Sequence, residues 1–250
     1  MKILVTNDDG IHAFGLNLLK EVCSAVAEEV WVVAPDREQS GASRSVTLHK
    51  PLRPVRRGET EFQVDGTPTD CILMALGSLL PSAPDFVFSG INHGPNLGED
   101  VLYSGTVAGA MEGLAQGIPG IALSLAGRHG EMLEGDRDWI ETLVKLAIDR
   151  KRFPPGMLLN VNIPPIPGHE IKGMRVTTLG KRVYEGALVD AEDRWGRRVH
   201  WIGGGKLSWS GGDDCDFKAI EDGFISITPL HTDLTDYSHL EEVRGWDLEG

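Results

Sequence analysis

The chain opens with residues 1–10, MKILVTNDDG, in which a short apolar run stops at a polar turn. This pattern is typical of a buried β-strand that is followed by a loop. Apolar side chains then return at helical spacing between Phe14 and Val26, and residues 30–34 are again apolar and β-branched. A strand, a helix and a second strand within about 35 residues have the size of a βαβ unit. The start of the chain therefore predicts an α/β fold.

The alternation of strands and helices continues through the middle of the chain. We predict strands at residues 85–89, 118–125 and 157–163, and helices at residues 67–80, 106–116 and 139–150. Strands that alternate with helices form a parallel sheet that is covered on both faces. We therefore expect one mostly parallel sheet flanked by helices.

The pattern changes after about residue 164, where clear helices are no longer predicted before the tail. Residues 184–202 predict a long β-hairpin around the turn residues 193–196. Residues 203–216 predict a loop rich in glycine and aspartate, and residues 223–230 predict a last strand. The C-terminal third is thus expected to be an extension of the sheet rather than an independent domain.

The charge balance of the 250-residue chain limits its partners. Lys and Arg total 24 against 37 Asp and Glu, which gives a formal net charge of −13. Proteins that wrap nucleic acid or bind anionic membranes need a basic surface, so we expect neither partner. A small anionic substrate would meet a repulsive field unless a local positive field opposed it.

Three cysteines, Cys23, Cys71 and Cys215, are too few and too far apart for a disulfide framework. No apolar run approaches the ~18 residues of a membrane span. The first residues do not have the pattern of a secretion signal either. We therefore expect a cytoplasmic protein.

Polar loops follow three of the predicted strands, and ligands of an open parallel sheet bind at this carboxyl edge. Asp8 and Asp9 are adjacent there, and two buried carboxylates without a partner would repel each other strongly. A hard divalent cation that takes oxygen ligands removes this conflict. We predict Asp8, Asp9, Ser40 and Asn92 as its ligands. The alternative is that Asp8 or Asp9 only caps the helix that follows.

Residues 103–110, YSGTVAGA, predict the start of a helix built from small residues. The free N–H groups of such a first turn can bind an anion, for which phosphate is the natural candidate. The hydroxyl groups of Ser104 and Thr106 would be additional donors. The alternative is that Ser104 is an ordinary helix cap.

Eight short motifs occur in a fixed order along the chain. They are TNDDG (6–10), VAPD (33–36), SGAS (40–43), GTPTDC (66–71), SGIN (89–92), GPNLG (94–98), YSGTV (103–107) and SITPLH (226–231). Together they resemble the survival protein E (SurE) family of metal-dependent nucleoside monophosphate phosphatases. The resemblance covers residues 1 to about 235, whereas the tail, residues 241–250, matches nothing in the family pattern and leaves the details of assembly open.

The resemblance implies a single SurE-like domain over residues 1–250. Residues 1–180 would form a Rossmann-like α/β core with a mostly parallel sheet flanked by helices. Residues 181–250 would form a C-terminal β-hairpin extension and a tail. Family members are dimers or tetramers in which this hairpin reaches a neighbour, so a homodimer or homotetramer is expected through residues 184–202.

The resemblance also implies one divalent metal cation per subunit, Mg²⁺ or Mn²⁺, on the four residues selected above from the strand ends. It adds phosphate contacts near Asn96 and near Ser104, Gly105 and Thr106.

The expected reaction is hydrolysis of nucleoside 5′- and 3′-monophosphates to nucleoside and inorganic phosphate by metal-activated water, with Asp8, Asp9 and Asn92 as the catalytic residues. Phosphatases that form a phosphoaspartate have carboxylates two residues apart, whereas those of this chain are contiguous. We therefore favour direct attack by water. A non-catalytic nucleotide or phosphate sensor is the alternative function, and exopolyphosphatase activity is left undecided.

Several side chains keep two interpretations. His12 and His93 flank the predicted metal loops and could donate a proton, but we assign no general acid. Trp195, Trp201 and Trp209 could stack on a nucleobase, or they could bury aromatic area in a subunit contact.

Overall fold

The computed structural model describes residues 1–127, 135–149, 153–185, 188–202 and 206–246. Its strands are β1 (Lys2–Thr6), β2 (Glu29–Pro35), β3 (Pro54–Arg56), β4 (Glu61–Val64), β5 (Phe86–Asn92), β6 (Gly120–Leu125), β7 (Leu158–Ile163), β8 (Met174–Val176), β9 (Lys181–Glu185), β10 (Leu188–Glu192), β11 (Arg198–Ile202), β12 (Lys206–Ser210) and β13 (Ile225–Leu230). Its helices are α1 (Phe14–Ser24), α2 (Pro68–Met74), α3 (Gly105–Ala115), α4 (Asp136–Ile148), α5 (Asp216–Glu221) and α6 (Leu240–Arg244).

Nine of these strands form one sheet in the order β3-β4-β2-β1-β5-β6-β7-β13-β8. The pairings from β4 to β7 are all parallel, while β3 and β13 run antiparallel to β4 and β7. This arrangement confirms the predicted mostly parallel sheet. It also places the carboxyl ends of β1, β2 and β5 side by side at one edge.

Both faces of the sheet are covered, as the alternation of side chains along β1 illustrates. Ile3 and Val5 are fully buried in the cluster that α1 and α4 cover, whereas Leu4 packs into the cluster that contains α2. Successive strand residues point to opposite faces, so an unbroken apolar strand requires apolar partners on both sides.

The predicted helix at residues 67–80 is shorter than expected. It begins at a capping box, in which Thr67 Oγ1 accepts the Asp70 N–H at 3.1 Å and Asp70 Oδ2 accepts the Thr67 N–H at 2.9 Å. The α-helix ends at Met74, and residues 75–79 form a wider π-helical turn closed by the Leu80 N–H on the Ala75 carbonyl at 2.9 Å.

The C-terminal third contains the predicted hairpin and two elements that the sequence analysis missed. β10 pairs with β11 around the predicted turn, and β9 pairs with β12 to lengthen the same hairpin. The prediction of a loop at residues 203–216 was wrong for β12, because the alternation of β12 is too short to recognise without its partner strand. It was also wrong for Asp216, the first residue of α5, a helix whose buried Phe217 packs with Leu97 and Cys215.

The boundary between residues 1–180 and 181–250 stays a prediction. β13 belongs to the main sheet although it follows the hairpin in sequence. Residue 150 of a predicted helix, residues 186–187 and 203–205 of the hairpin region, and tail residues 247–250 lie outside the described residues. Within the described chain, no helix combines the length and apolar composition needed to cross a membrane.

Candidate active site

The turn after β1 is built by Asn7 and Gly10. Asn7 is fully buried; its Oδ1 accepts the Gly10 N–H at 3.2 Å and its Nδ2 donates to the Gly10 carbonyl at 3.0 Å. Gly10 has φ +101°, and a Cβ there would lie 3.2 Å from the Arg37 carbonyl carbon, so this turn favours glycine. The turn holds Asp8 and Asp9 at the edge of the sheet.

Asp8 lies at the N-terminus of α3. Its Oδ1 accepts a hydrogen bond from the Thr106 hydroxyl, and a Cβ on Gly105 would lie 2.7 Å from the Asp8 Cβ. Burial raises the pKa of Asp8 from 3.8 to about 6, although the hydrogen bond from Thr106 acts in the opposite direction. The helix that follows β1 is α1, whose N-cap is Ala13 without any side-chain cap. The alternative that Asp8 or Asp9 caps that helix is therefore wrong.

Asp9 faces the loop after β5 instead. Its Oδ2 accepts the His93 N–H at 3.3 Å and lies 3.7 Å from His93 Nδ1. Burial raises the pKa of Asp9; the charge on His93 acts against this rise and the charge on Glu38 adds to it. The adjacent carboxylates thus contact different elements, as neighbouring side chains of an extended segment must.

Ser40 and Asn92 line both of the cavities into which the two carboxylates face. A cavity of about 460 Å³ is lined by Asp9, Ser40 and Asn92, and a second cavity of about 950 Å³ is lined by Asp8 and by the same Ser40 and Asn92. Ser40 Oγ donates to Glu38 Oε1 at 2.7 Å, and Asn92 Nδ2 donates to the Gly94 carbonyl at 2.9 Å. The structure therefore brings the four predicted metal ligands together, although they come from three separate loops.

The chemistry of this donor set fits a hard divalent cation. Its members present carboxylate, amide and hydroxyl oxygens, which Mg²⁺ and Mn²⁺ prefer. None of the described residues that line either cavity is a lysine or an arginine, and the two histidines present, His12 and His93, line only the smaller cavity. No three His, Cys, Asp or Glu side chains cluster as a metal site anywhere in the described ranges. The predicted set contains only two such side chains, and it depends on the serine and the asparagine.

Of the predicted phosphate residues, Asn96 and Ser104 line the larger cavity, whereas Gly105 and Thr106 are buried in the first turn of α3. Ser104 is the N-cap of α3, because its Oγ accepts the Val107 N–H at 3.0 Å. Both interpretations of Ser104 are compatible, since a hydroxyl that accepts this bond still has its own hydrogen to donate. The Thr106 hydroxyl is directed at Asp8, as described above, and its predicted phosphate contact stays a prediction.

Asn96 is held by a buried polar layer that the sequence analysis missed. The Asn96 N–H donates to Asn162 Oδ1 at 2.8 Å, its carbonyl accepts from Asn160 Nδ2 at 2.7 Å, and its Nδ2 donates to Ser124 Oγ at 2.8 Å. Asn160 and Asn162 are two residues apart in an otherwise apolar strand, so they share one face. That spacing was a signal for a polar contact beneath the site.

The two histidines and the three tryptophans singled out in the sequence lie in different parts of the structure. His12 and His93 both line the smaller cavity beside Asp9. Trp195 and Trp201 are exposed on the hairpin, whereas Trp209 stacks on Phe217 with ring centroids 5.8 Å apart. None of the three tryptophans is among the described residues that line the two cavities.

Comparison with known proteins gives consistent matches over nearly the whole chain. The family model described as Survival protein SurE matches residues 3–186. The 5′-nucleotidase SurE of Gemmatimonas aurantiaca is 55% identical over 98% of this chain and 98% of its own length. The 5′-nucleotidase SurE of Geotalea uraniireducens is 48% identical over 99% of this chain and 100% of its own. The crystal structure of the SurE protein from Aquifex aeolicus superposes with a TM-score of 0.86 at 41% identity, covering 98% of both chains.

Proposed function

The chain belongs to the survival protein SurE family, and from that premise we propose that it is a metal-dependent 5′-nucleotidase. It would convert nucleoside monophosphates to nucleoside and inorganic phosphate. The observation that carries the proposal is the placement of buried Asp8 and partly buried Asp9 in two cavities that share Ser40 and Asn92. Neither cavity has a lysine or an arginine among its described lining residues. The names of the relatives support the substrate class.

One divalent cation per subunit, Mg²⁺ or Mn²⁺, would be held by Asp8, Asp9, Ser40 and Asn92. When bound, such a cation supplies Lewis-acid stabilisation of phosphoryl charge and lowers the pKa of water. The support is the fit of an all-oxygen donor set and the burial that raises the pKa of both carboxyl groups. Glu38 and Gly94 orient Ser40 and Asn92 through the hydrogen bonds described above.

The protein's own residues would bind and orient the phosphate group at the start of α3. Ser104, the N-cap of α3, lines the larger cavity, and the dipole at this helix N-terminus favours an anion. The absence of a side chain at Gly105 lets this turn approach Asp8 closely. Asn96, held from below by Asn160 and Asn162, supplies a fixed polar group on the same wall.

The reaction in this proposal is a direct displacement. A water oxygen forms the new bond to phosphorus, the phosphorus–oxygen ester bond breaks, and the nucleoside leaves as an alcohol after gaining one proton. Asp8 and Asp9 face different elements, which supports roles in binding rather than the paired roles of a nucleophile and an acid two residues apart.

The hairpin is the proposed contact for a homodimer or homotetramer. A two-stranded ribbon that stands alone is only marginally stable in water. This one also exposes large apolar side chains, among them Leu188, Val189 and Trp201. Exposed apolar patches of this kind mark protein–protein contacts.

A phosphate-release assay tests the enzymatic proposal. The purified protein is incubated with 5′-AMP and with 3′-AMP, first with EDTA and then with Mg²⁺ or Mn²⁺ restored. We expect release from 5′-AMP only when a metal is present, and the 3′-AMP arm decides the 3′-nucleotidase activity that the family resemblance implies. If no condition gives metal-dependent release while AMP still binds, the protein is a nucleotide sensor and the enzymatic proposal is wrong.

A further inference from the structure

The larger cavity extends well beyond the part that a phosphate group needs. Its volume is about 950 Å³, at the upper end of the roughly 300–1,000 Å³ typical of pockets for whole small molecules. Asp8, Asn92 and Ser104 belong to the proposed metal and phosphate site, and Tyr103 and Ile202 are further lining residues of the same cavity. The rest of a substrate would therefore contact these two side chains.

Tyr103 presents its ring to solvent on a fixed backbone. The side chain is 65% exposed, yet the Tyr103 N–H donates to the Asp100 carbonyl at 3.0 Å and its own carbonyl accepts the Ser43 N–H at 3.0 Å. Tyr103 also directly precedes Ser104, the helix cap at the phosphate end. An exposed aromatic ring that is held rigidly one residue from a phosphate site is suited to bind the flat part of a phosphate ester.

The hairpin completes this wall with an apolar side chain. Ile202, at the end of β11, is 90% exposed and lines the same cavity as Tyr103. Exposing a ring and a branched aliphatic side chain together is unfavourable in water, whereas a planar aromatic ligand would cover both.

Among the described residues that line this cavity near Tyr103, neither Gly41 nor Asp100 is suited to read the edge of a base. Gly41 has no side chain, and the Asp100 carboxylate is held by Arg182, with Nε and Nη2 at 2.9 and 2.7 Å from Oδ2. Recognition through the face of a base tolerates different bases, because every base has a π-face. Recognition through its edge would need free, convergent donors and acceptors.

We propose that Tyr103, together with Ile202 in the lining of the same cavity, is a stacking platform for the nucleobase and determines the preference of the site for nucleotides over phosphate esters without a base. The inference rests on the proposed nucleotidase function and deepens it. It assigns the base-binding role to Tyr103 and not to any of the three tryptophans considered from the sequence. It also predicts weak discrimination among bases.

The test compares 5′-AMP with ribose 5-phosphate, which has the same phosphate ester and carries a hydroxyl group in place of the base. In the wild-type protein we expect a higher kcat/KM for 5′-AMP, and values for 5′-AMP, 5′-GMP, 5′-CMP and 5′-UMP that agree within about tenfold. Tyr103→Ala should lower kcat/KM for 5′-AMP by about tenfold, mainly through KM, and leave ribose 5-phosphate within about twofold. Tyr103→Phe should keep the wild-type ratio because the ring remains.

Leu102→Ala is the matched control, since Leu102 is the exposed neighbour whose side chain lines a different cavity. Light scattering should give all variants the wild-type mass. If Tyr103→Ala lowers kcat/KM equally for both substrates, or changes the mass of the protein, Tyr103 acts on the shape of the site or on assembly. Either result would contradict the proposed stacking role. If the wild type hydrolyses neither substrate, the proposed nucleotidase function is wrong. Calorimetry then tests the stacking role separately, by measuring whether Tyr103→Ala lowers the affinity for 5′-AMP relative to that for ribose 5-phosphate.

Discussion

The hydroxyl of Thr106 donates a hydrogen bond to Asp8 Oδ1, although 98 residues separate the two in sequence. The contact joins the first turn of α3 to the end of β1 and directs the positive end of the helix dipole at a buried carboxylate. It opposes the burial that raises the pKa of Asp8 to about 6. The N-terminus of α3, which the sequence predicts to bind a phosphate group, thus also contacts a carboxylate of the protein, that of Asp8.

Replacing the Thr106 hydroxyl should weaken metal binding without unfolding the protein. Thr106→Val keeps the shape of the side chain but removes the donor that favours ionised Asp8, so the Mg²⁺ concentration for half-maximal activity should rise about tenfold. A metal titration of phosphate release measures this change. Thr106→Ser is the control, because it keeps the hydroxyl. If Thr106→Val needs the same Mg²⁺ concentration as the wild type, this hydrogen bond does not contribute to metal binding.

Removing a predicted ligand should abolish most activity while the fold remains. We expect Asp9→Asn and Asn92→Ala to lower kcat/KM by about 100-fold or more, because each removes an oxygen donor from the predicted set. Thermal denaturation should remain cooperative in both variants. Asp213→Asn, in an exposed loop, removes the same charge as Asp9→Asn and should retain wild-type activity. Full turnover by Asp9→Asn would exclude that residue from the metal site.

Removing the metal should reduce substrate binding as well as turnover. The chain has a net charge of −13, and no lysine or arginine is found among the described residues that line the two cavities. The positive field for a phosphate group then depends on the cation and on the N-terminus of α3. Calorimetry with inorganic phosphate should give at least about tenfold weaker binding with EDTA than with Mg²⁺. Equal affinities would contradict this account.

A methyl group at Gly105 should push α3 away from Asp8. The added Cβ would lie 2.7 Å from the Asp8 Cβ and 2.9 Å from Oδ2, which is too close for unchanged packing. We expect Gly105→Ala to lower the free energy of unfolding by about 1–3 kcal/mol and to reduce activity. Gly77→Ala, where a Cβ meets nothing within 4 Å, is the matched control. Urea denaturation and phosphate release measure both effects, and a fully active Gly105→Ala would disprove the close approach.

A charge in the exposed apolar face of the hairpin should disrupt the proposed assembly. Trp201 is 67% exposed on β11, and Trp201→Glu should shift the mass measured by light scattering toward that of the monomer. Phe14→Glu introduces the same charge at another exposed apolar residue and should leave the mass unchanged. If the wild type is itself a monomer, the hairpin contact is wrong.

Asp216 forms hydrogen bonds both to the loop that carries Asn96 and to Gly180, the residue before β9. This buried carboxylate accepts the N–H groups of Gly98 at 2.7 Å, Gly180 at 2.9 Å and Phe217 at 2.9 Å. Asp216→Asn has one acceptor oxygen fewer, and we expect it to lower the free energy of unfolding by about 1–3 kcal/mol. Asp214→Asn, an exposed neighbour, should change the unfolding midpoint in urea very little. If the two variants have equal unfolding midpoints in urea, the hydrogen bonds of Asp216 do not stabilise the fold as proposed.

Much of the fold was predictable because it depends on local patterns. The apolar runs of β1, β2, β5 and β7 and the helical spacing of α1 are periodic over several residues, and a parallel sheet needs little more. The same rule that parallel strands end at one edge placed Asp8, Asp9, Ser40 and Asn92 in one site. β12 and α5 were missed because short elements derive their stability from partners far away in sequence.

Local patterns were enough to predict most of the strands and helices and the oxygen donors at the carboxyl edge, because periodicity and residue chemistry are local properties. Three contacts are visible only in the folded chain: Asp8 faces Thr106, Asn160 and Asn162 hydrogen-bond to Asn96, and Tyr103 and Ile202 line one cavity. Each of these contacts joins residues dozens of positions apart. Their distances depend on how helices pack on the sheet and on where the hairpin returns, and no spacing along the chain encodes either.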